Sequence, residues 1–266
     1  MEKNTSFAQT RRNLLAATSI LVTALLPRAA NAKHGHGHHG ADAGSSGSAR
    51  SAGAHCFLRG TLIRTPSGEQ EISTLQIGDL VVAHSGQEKP IKWIGRRRLQ
   101  RDPGMSWRAD VAPIKVARSA LADGIPHRDL HLSPGHALYF DGLLVTVGSL
   151  VNGSTIVRCS ADEMRSLEYF NIELAEHEVI FAEGAASETL VPSGEYPLFD
   201  NWFERASCER DESALPIAPE INITGGRLQL RSRLRSALAP VLDRRTDFDR
   251  LRDRLEDRAE WMKSAA

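Results

Sequence analysis

The feature that most constrains the fold of this chain is a succession of short apolar runs, bounded by turn residues, between Cys56 and Pro192. Runs of only a few residues are typical of β-strands, because a helix needs a longer periodic segment. We therefore expect an all-β domain over residues 56–192, which is long enough to enclose one hydrophobic core. The predicted strands are 61–65, 70–75 together with 78–83, 92–94, 130–132, 137–140, 143–147, 169–174 and 178–182.

A hairpin can be predicted within this domain and a helical tail after it. Asp141-Gly142 stands between two apolar runs, which is the usual sequence of a two-residue hairpin turn. In residues 193–266 the strand pattern ends, and a helix is expected to begin at the capping residue Thr246. The apolar side chains near one face of that helix are Phe248, Leu251, Leu255 and Met262, and an earlier four-residue repeat consists of Leu230, Leu234 and Leu238.

Residues 1–32 have the features of a signal peptide that is removed on export. The apolar run over 14–26 is too short to span a bilayer, so no stable membrane insertion is expected once the signal is gone. Small residues at its end predict cleavage between Ala32 and Lys33.

Adjacent Arg11 and Arg12 just before the apolar run resemble a twin-arginine signal, which exports folded proteins. The alternative is a general secretory signal that contains an arginine pair by chance. Either signal predicts a protein that is exported to the periplasm or secreted, and the twin-arginine interpretation implies a bacterial source.

The leader that follows, residues 33–55, has no Leu, Ile, Val or aromatic residue. Such a segment cannot bury enough apolar surface to offset chain entropy, so we expect it to be disordered. Its histidines His34, His36, His38 and His39 can converge on Zn²⁺ or Ni²⁺, because neutral imidazole is a common metal ligand. The alternative is a low-complexity linker that binds metal only incidentally.

Charge and cysteine content exclude two classes of protein. The chain has 33 Lys and Arg residues against 33 Asp and Glu residues, so no net positive field attracts nucleic acid, and we expect no nucleic-acid partner. Three cysteines are too few for a disulfide scaffold. Cys159 and Cys208 can pair after export, if the fold brings them close enough.

The position of Cys56, between leader and domain, suggests a chemical role. Its thiol can reach the carbonyl of the preceding peptide bond, between His55 and Cys56, and attack would transfer the acyl chain to sulfur as a thioester. This step requires a proton donor for the leaving nitrogen and stabilisation of the carbonyl oxygen. Ser133 and His136, three positions apart at a tight turn, supply a hydroxyl and an imidazole.

Two segments resemble sequence blocks of the hedgehog and intein (Hint) domain family. Residues 56–61, which read CFLRGT, and residues 72–81 resemble the opening block. Residues 131–139 resemble the second block, a Thr-x-x-His motif, with Ser133 at the Thr position and His136 at the His position.

A third segment, residues 169–174 followed by His177, is similar to a late block of the same family, with Asn171 where many members carry Asp. The resemblance extends from Cys56 to about residue 190. It is greatest to bacterial Hint-domain proteins that continue into a helical tail.

The resemblance implies a horseshoe-like, all-β Hint fold with a C-terminal helical tail, and autoproteolysis before Cys56. The chain would then be a self-cleaving cysteine autoprotease of single turnover, with Cys56 as the nucleophile and His136 as the acid on the scissile amide. Ser133 would be the hydrogen-bonding helper of that imidazole, and Asn171 and His177 would complete the site. No cofactor is required, and water or an external nucleophile would resolve the thioester.

The resemblance also implies a limit to the reaction. Inteins end with a His-Asn pair whose Asn cyclises to release the downstream chain, whereas residues 186–191 read ASETLV. Full splicing is therefore not expected.

Two other classes of function stay open. One is a catalytically silent, exported interaction module that keeps the fold and binds a protein partner that the sequence does not identify. The other is metal handling through the leader. Both are favoured by the twin-arginine interpretation, because cleavage before Cys56 in the cytoplasm would separate the signal from the folded domain before export.

Overall fold

The computed structural model describes residues 55–160, 164–191, 196–206, 216–223, 226–240 and 242–265. The predictions about the signal peptide, its cleavage between Ala32 and Lys33, and the leader histidines lie outside the described residues. The proposed partner of Cys159, Cys208, lies outside them as well.

The described part is mostly β, with the longer helices near the C-terminus, as the sequence predicts. The strands are β1 (Phe57–Leu58), β2 (Leu62–Thr65), β3 (Gly68–Glu71), β4 (Leu80–Val82), β5 (Glu88–Pro90), β6 (Trp93–Gln100), β7 (Ile114–Val116), β8 (Leu130–Leu132), β9 (Ala137–Phe140), β10 (Leu143–Thr146), β11 (Ile156–Arg158), β12 (Ser166–Glu173), β13 (Val179–Ala182), β14 (Ala185–Glu188) and β15 (Glu220–Ile221). The α-helices are α1 (Trp202–Ala206), α2 (Gly226–Leu238) and α3 (Asp247–Ser264). Single 3₁₀ turns cover Ile72–Thr74, Val147–Leu150 and Tyr196–Leu198.

One six-stranded antiparallel sheet has the order β11-β7-β8-β1-β12-β6. The short strand β1 lies between β8 and β12, where Phe57 faces Leu132 on one side and Phe170 on the other. This register matters for the site. It places Cys56, which precedes β1, beside Ser133, which follows β8, and beside Asn171 of β12.

The second sheet has seven strands in the order β15-β10-β9-β14-β13-β2-β3, and its β10-β15 pair is parallel. The predicted hairpin joins β9 to β10, and its turn residues Asp141 and Gly142 have φ angles of 47° and 92°. Positive φ at both positions is typical of a type I′ turn, which matches the twist of the strands. Within this sheet β14 pairs with β9 through Ser187 and Leu138, so the end of β14 lies beside the start of β9.

Two strand predictions differ from the structure. The predicted strand over 70–75 and 78–83 is divided into β3, a 3₁₀ turn and β4, and the Asp79 side chain accepts a hydrogen bond from the Gln76 N–H in the turn between them, at 2.8 Å. The predicted strand 92–94 extends to Gln100, because β6 pairs with β12 over its whole length. Its arginine-rich end lies on the edge of the sheet, where charged side chains remain in water.

The two long helices differ in how they are packed. Phe248, Leu251 and Leu255 of α3 are buried in the main hydrophobic cluster, and Thr246 forms a capping box with Asp249, so the predicted start of this helix is confirmed. In α2, by contrast, the leucines of the four-residue repeat are 58, 52 and 60% exposed. Among the residues that the structure describes, no helix is both long and apolar enough to cross a membrane.

Candidate active site around Cys56

The backbone of Cys56 is held on both sides by Ser133. The Cys56 N–H donates to the Ser133 hydroxyl oxygen at 2.8 Å, and the Ser133 N–H donates to the Cys56 carbonyl oxygen at 2.9 Å. Both residues are buried, and both stand at the ends of neighbouring strands, since Cys56 precedes β1 and Ser133 follows β8. The amide nitrogen of the peptide bond between His55 and Cys56 is therefore fixed in orientation.

The side chain of Cys56 is in apolar surroundings. It belongs to a buried cluster with Trp93, Tyr169, Leu190 and Phe199. Burial, followed by the closeness of Cys56 and Cys159, raises the pKa of the Tyr169 phenol, whose hydroxyl donates to the Val111 carbonyl at 2.8 Å. Apolar surroundings disfavour a thiolate, so a nucleophilic Cys56 needs a base that takes its proton during the attack.

The carbonyl oxygen of His55 accepts a hydrogen bond from the side-chain amide of Asn171. Asn171 lies in the second half of β12 and is fully buried. The side-chain oxygen Oδ1 of Asn171 accepts from the Ile172 N–H at 2.8 Å, so the side-chain nitrogen is the group that faces His55. A donor that is fixed in this way meets the requirement for stabilising an oxyanion at the His55 carbonyl.

His136 is placed by the tight turn that begins at Ser133. The His136 N–H donates to the Ser133 carbonyl and the Gly148 N–H donates to the Pro134 carbonyl, each at 3.0 Å. A Cβ atom at position 148 would lie 2.8 Å from that Pro134 oxygen, so this close approach requires glycine. The imidazole of His136 packs on the Phe57 ring, with 4.2 Å between the ring centres.

The imidazole of His136 is neutral at pH 7. Burial lowers its pKa to about 4 against the opposing effect of the Glu188 carboxylate, and the nearby His55 ring lowers it as well. Interaction with the backbone of His55 acts in the opposite direction and raises this pKa, which places the ring close to the scissile peptide bond. The Ser133 hydroxyl, which the sequence assigns to this imidazole, accepts a hydrogen bond from the Cys56 amide.

Glu188, which the sequence interpretation did not include, stands at the end of β14 and is 1% exposed. Its Oε1 accepts from the Ala137 N–H at 2.7 Å and lies 2.7 Å from Nδ1 of His55. Burial by itself would raise the pKa of Glu188, but the hydrogen bonds from the His55 ring and the Ala137 N–H help to lower it below its ordinary value. The carboxylate is therefore ionised, and His55 donates to it.

His177 reaches the site through Glu188. The His177 Nε2 is 3.8 Å from Oε2 of Glu188, and its Nδ1 accepts from the Ile217 N–H at 3.1 Å. Because Nδ1 is an acceptor, the proton of the neutral ring is on Nε2, which faces the carboxylate. Burial lowers the pKa of His177.

The structure places the Ser133 hydroxyl and the Asn171 amide on the peptide bond between His55 and Cys56, and His136 lies close to it. His177 stands farther away, behind Glu188. The structure adds Glu188, which a sequence signal could have indicated, since it is the one charged residue in the run 185–191. No group of His, Cys, Asp and Glu side chains within the described ranges is arranged to hold a metal ion.

Comparison with known proteins gives a family for this region. A family model described as the Hint domain matches residues 55–194. No curated protein matches the chain.

Several solved intein structures are similar to the chain, with low sequence identity. The bacterial intein-like domain from Clostridium thermocellum is 16% identical, with 52% of this chain and 99% of that chain covered and a TM-score of 0.38. The gp41-1 intein is 17% identical, with coverage of 50% and 98% and a TM-score of 0.37. The DnaB intein from Synechocystis is 13% identical, with coverage of 52% and 100% and a TM-score of 0.34.

Proposed function

The chain belongs to the Hint-domain family, and we propose that it cleaves its own peptide bond before Cys56 through a thioester, without splicing. The peptide bond between His55 and Cys56 carries this assignment. Its carbonyl oxygen accepts from Asn171, its amide N–H donates to Ser133, and a neutral buried histidine lies beside it. Each of these groups meets one requirement of amide cleavage by an adjacent thiol.

The first step is attack by sulfur. His136 takes the thiol proton of Cys56 as its sulfur forms a bond to the carbonyl carbon of His55. The electron pair of the carbonyl moves to oxygen, where the Asn171 amide donates to the developing negative charge. A neutral His136 is required here, and its lowered pKa provides one at pH 7.

The second step is departure of the nitrogen. The Ser133 hydroxyl holds the N–H of Cys56, so the lone pair that develops on the pyramidal nitrogen is directed away from that hydroxyl. His136 returns its proton to this lone pair, and the carbon-nitrogen bond breaks. The products are a thioester between the His55 carbonyl and the Cys56 sulfur, and an N-terminal amine on Cys56.

Water or an external thiol or amine then attacks the thioester. The leader is released as an acid or a conjugate, and the remaining chain begins at Cys56. Residues 186–191 contain no His-Asn pair, so no second cleavage follows. The reaction needs no metal or organic cofactor, and nucleic acid is not a partner.

Export is part of the same proposal. Residues 1–32 direct the chain to the periplasm or outside a bacterial cell, and cleavage before Cys56 follows export. Zn²⁺ or Ni²⁺ binding by His34, His36, His38 and His39 would be a property of the released leader.

The test is intact-mass analysis of the mature chain, residues 33–266, incubated with and without hydroxylamine. We expect slow formation of a fragment that begins at Cys56, accelerated by hydroxylamine because it captures a thioester. Cys56→Ala should abolish the fragment, while Cys159→Ala, which changes the other buried cysteine of the described residues, should leave it. A folded chain that stays intact for days in hydroxylamine would contradict the proposal and favour the silent interaction module.

A further inference from the structure

The side chain of His55 is held by the domain even though His55 belongs to the segment that cleavage would release. Its ring nitrogen lies 2.7 Å from the buried Glu188 carboxylate, and its side chain is 18% exposed. We propose that Glu188 recognises the side chain at the position before the scissile bond, and that it selects a residue that donates a hydrogen bond and can carry a positive charge. This inference rests on the proposed function, because it names which leaders that reaction accepts.

The surroundings of Glu188 explain the selection. An ionised carboxylate that is 1% exposed needs partners, and the contacts found are the Ala137 N–H, the His55 ring and, at 3.8 Å, the His177 ring. An apolar residue at position 55 would remove the closest side-chain donor and leave a buried charge less well compensated. An acidic residue at position 55 would place two carboxylates together in a buried site. Such a leader would lose the attraction to Glu188 and would also be repelled by it.

The contact also positions the reacting carbonyl. Residue 55 is held at two points, since Asn171 contacts its carbonyl oxygen and Glu188 contacts its side chain. Two attachment points restrict the rotation of the carbonyl relative to the Cys56 sulfur, which increases the fraction of molecules in a reactive geometry. Glu188 is therefore a positioning residue, and its loss should slow cleavage without removing any group that handles a proton.

The charge of residue 55 reaches the proposed base as well. His55 lowers the pKa of His136 and Glu188 raises it. A substitution at either position is therefore expected to change the pH profile of cleavage as well as its rate.

The main experiment measures the hydroxylamine-dependent cleavage rate of residues 33–266 for a series at position 55, each combined with Glu188 or Glu188→Gln. With Glu188 present we expect His55→Ala to be roughly tenfold slower than the wild type, as for loss of a hydrogen bond to a charged group, and His55→Glu about tenfold slower again. His55→Lys should lie between the wild type and His55→Ala.

With Glu188→Gln, the rates of the His55, His55→Ala and His55→Glu chains should converge to within about threefold, since the amide neither attracts a cation nor repels an acid. Gln can still accept from the Ala137 N–H, and thermal unfolding checks that each variant is folded. Glu168→Gln, which changes a carboxylate that pairs with Arg59 and Arg98, is the matched control and should leave the order of rates unchanged. An order at position 55 that is the same with and without Glu188 would overturn the inference.

A second measurement separates this inference from the proposed function. In the Cys56→Ala chain, which cannot form a thioester, the ¹⁵N resonances of the His55 ring should shift on Glu188→Gln and not on Glu168→Gln. If the wild type fails to cleave but this shift is found, the proposed function fails and the recognition contact stands. If the wild type cleaves and the shift is absent, recognition by Glu188 fails and the proposed function stands.

Discussion

The side-chain amide of Asn171 donates a hydrogen bond to the carbonyl oxygen of His55, the carbonyl that Cys56 would attack. An Asp at this position, as in many members of the family that the sequence resembles, offers no N–H when it is ionised. The Asn in this chain therefore changes the chemical character of the position, from an acceptor to a donor directed at the reacting oxygen.

We expect Asn171→Asp to slow hydroxylamine-dependent cleavage about 100-fold, because it removes one preorganised oxyanion donor without changing the size of the side chain. Its remaining oxygen can still accept from the Ile172 N–H, so the fold should be kept. The rate is measured by intact mass at pH 7. Asn152→Asp is the control, since the Asn152 side-chain oxygen accepts the backbone bonds of its own turn and Asp keeps that oxygen. An Asn171→Asp chain as fast as the wild type would exclude the oxyanion role.

Substitution of Ser133 tests whether its hydroxyl acts on the scissile amide. Ser133→Ala leaves the buried Cys56 N–H without its acceptor, which should reduce the free energy of unfolding by about 1–3 kcal/mol and slow cleavage. Ser133→Thr keeps the hydroxyl and should restore most of the cleavage rate. Rates and chemical denaturation are measured on all three proteins, and equal cleavage rates for the Ala and Thr variants would show that the hydroxyl has no part in the reaction.

The lowered pKa of His136 predicts how stability depends on pH. The unfolded chain takes up a proton on this residue below about pH 6.5, whereas the folded chain does so only near pH 4, so stability falls as the pH decreases through this window. Between pH 7 and pH 5 the contribution of His136 to that loss is about 2 kcal/mol.

Urea unfolding at pH 7 and pH 5 measures this effect, with His136→Gln as the comparison. The pKa of His177 is also lowered, so this residue reduces the stability of both proteins as the pH falls. The difference between the two losses of stability is therefore due to His136. The wild type should lose about 2 kcal/mol more than His136→Gln over this interval. An equal loss in both proteins would show that His136 is not held in its neutral form.

The leader histidines predict metal binding. A peptide of residues 33–55 should bind Ni²⁺ or Zn²⁺ at pH 7 and release it near pH 5, where imidazoles with a pKa of about 6.5 take up protons. A peptide with His34, His36, His38 and His39 replaced by Ala is the control. Titration calorimetry that detects no heat with either ion at pH 7 would remove this function from the leader.

The arginine pair predicts the export route. A reporter that is exported only when folded, fused to residues 1–40, should reach the periplasm and be cleaved after Ala32. Replacing Arg11 and Arg12 with Lys should stop its export, because the twin-arginine receptor requires the pair. Equal export of the Lys variant would assign the signal to the general secretory route.

Much of the local structure could be predicted from the sequence, because its causes are local. Asp141-Gly142 tolerates the positive φ angles of a hairpin turn, and Thr246 with Asp249 caps α3. The long β6 could not be predicted in the same way, since its arginine-rich half is a strand only because β12 supplies its hydrogen-bond partners.

The sequence by itself determined the strand-rich domain, the helix that begins after Thr246, and most of the side chains of the candidate site, with Glu188 as the exception. The tertiary structure determined which atoms those side chains contact. Ser133 contacts Cys56 across 77 residues and Glu188 contacts His55 across 133 residues. Such contacts depend on β1 pairing between β8 and β12 and on β14 pairing with β9. Strand pairing is chosen by burial and hydrogen bonding over the whole chain, whereas local propensity acts over only a few residues.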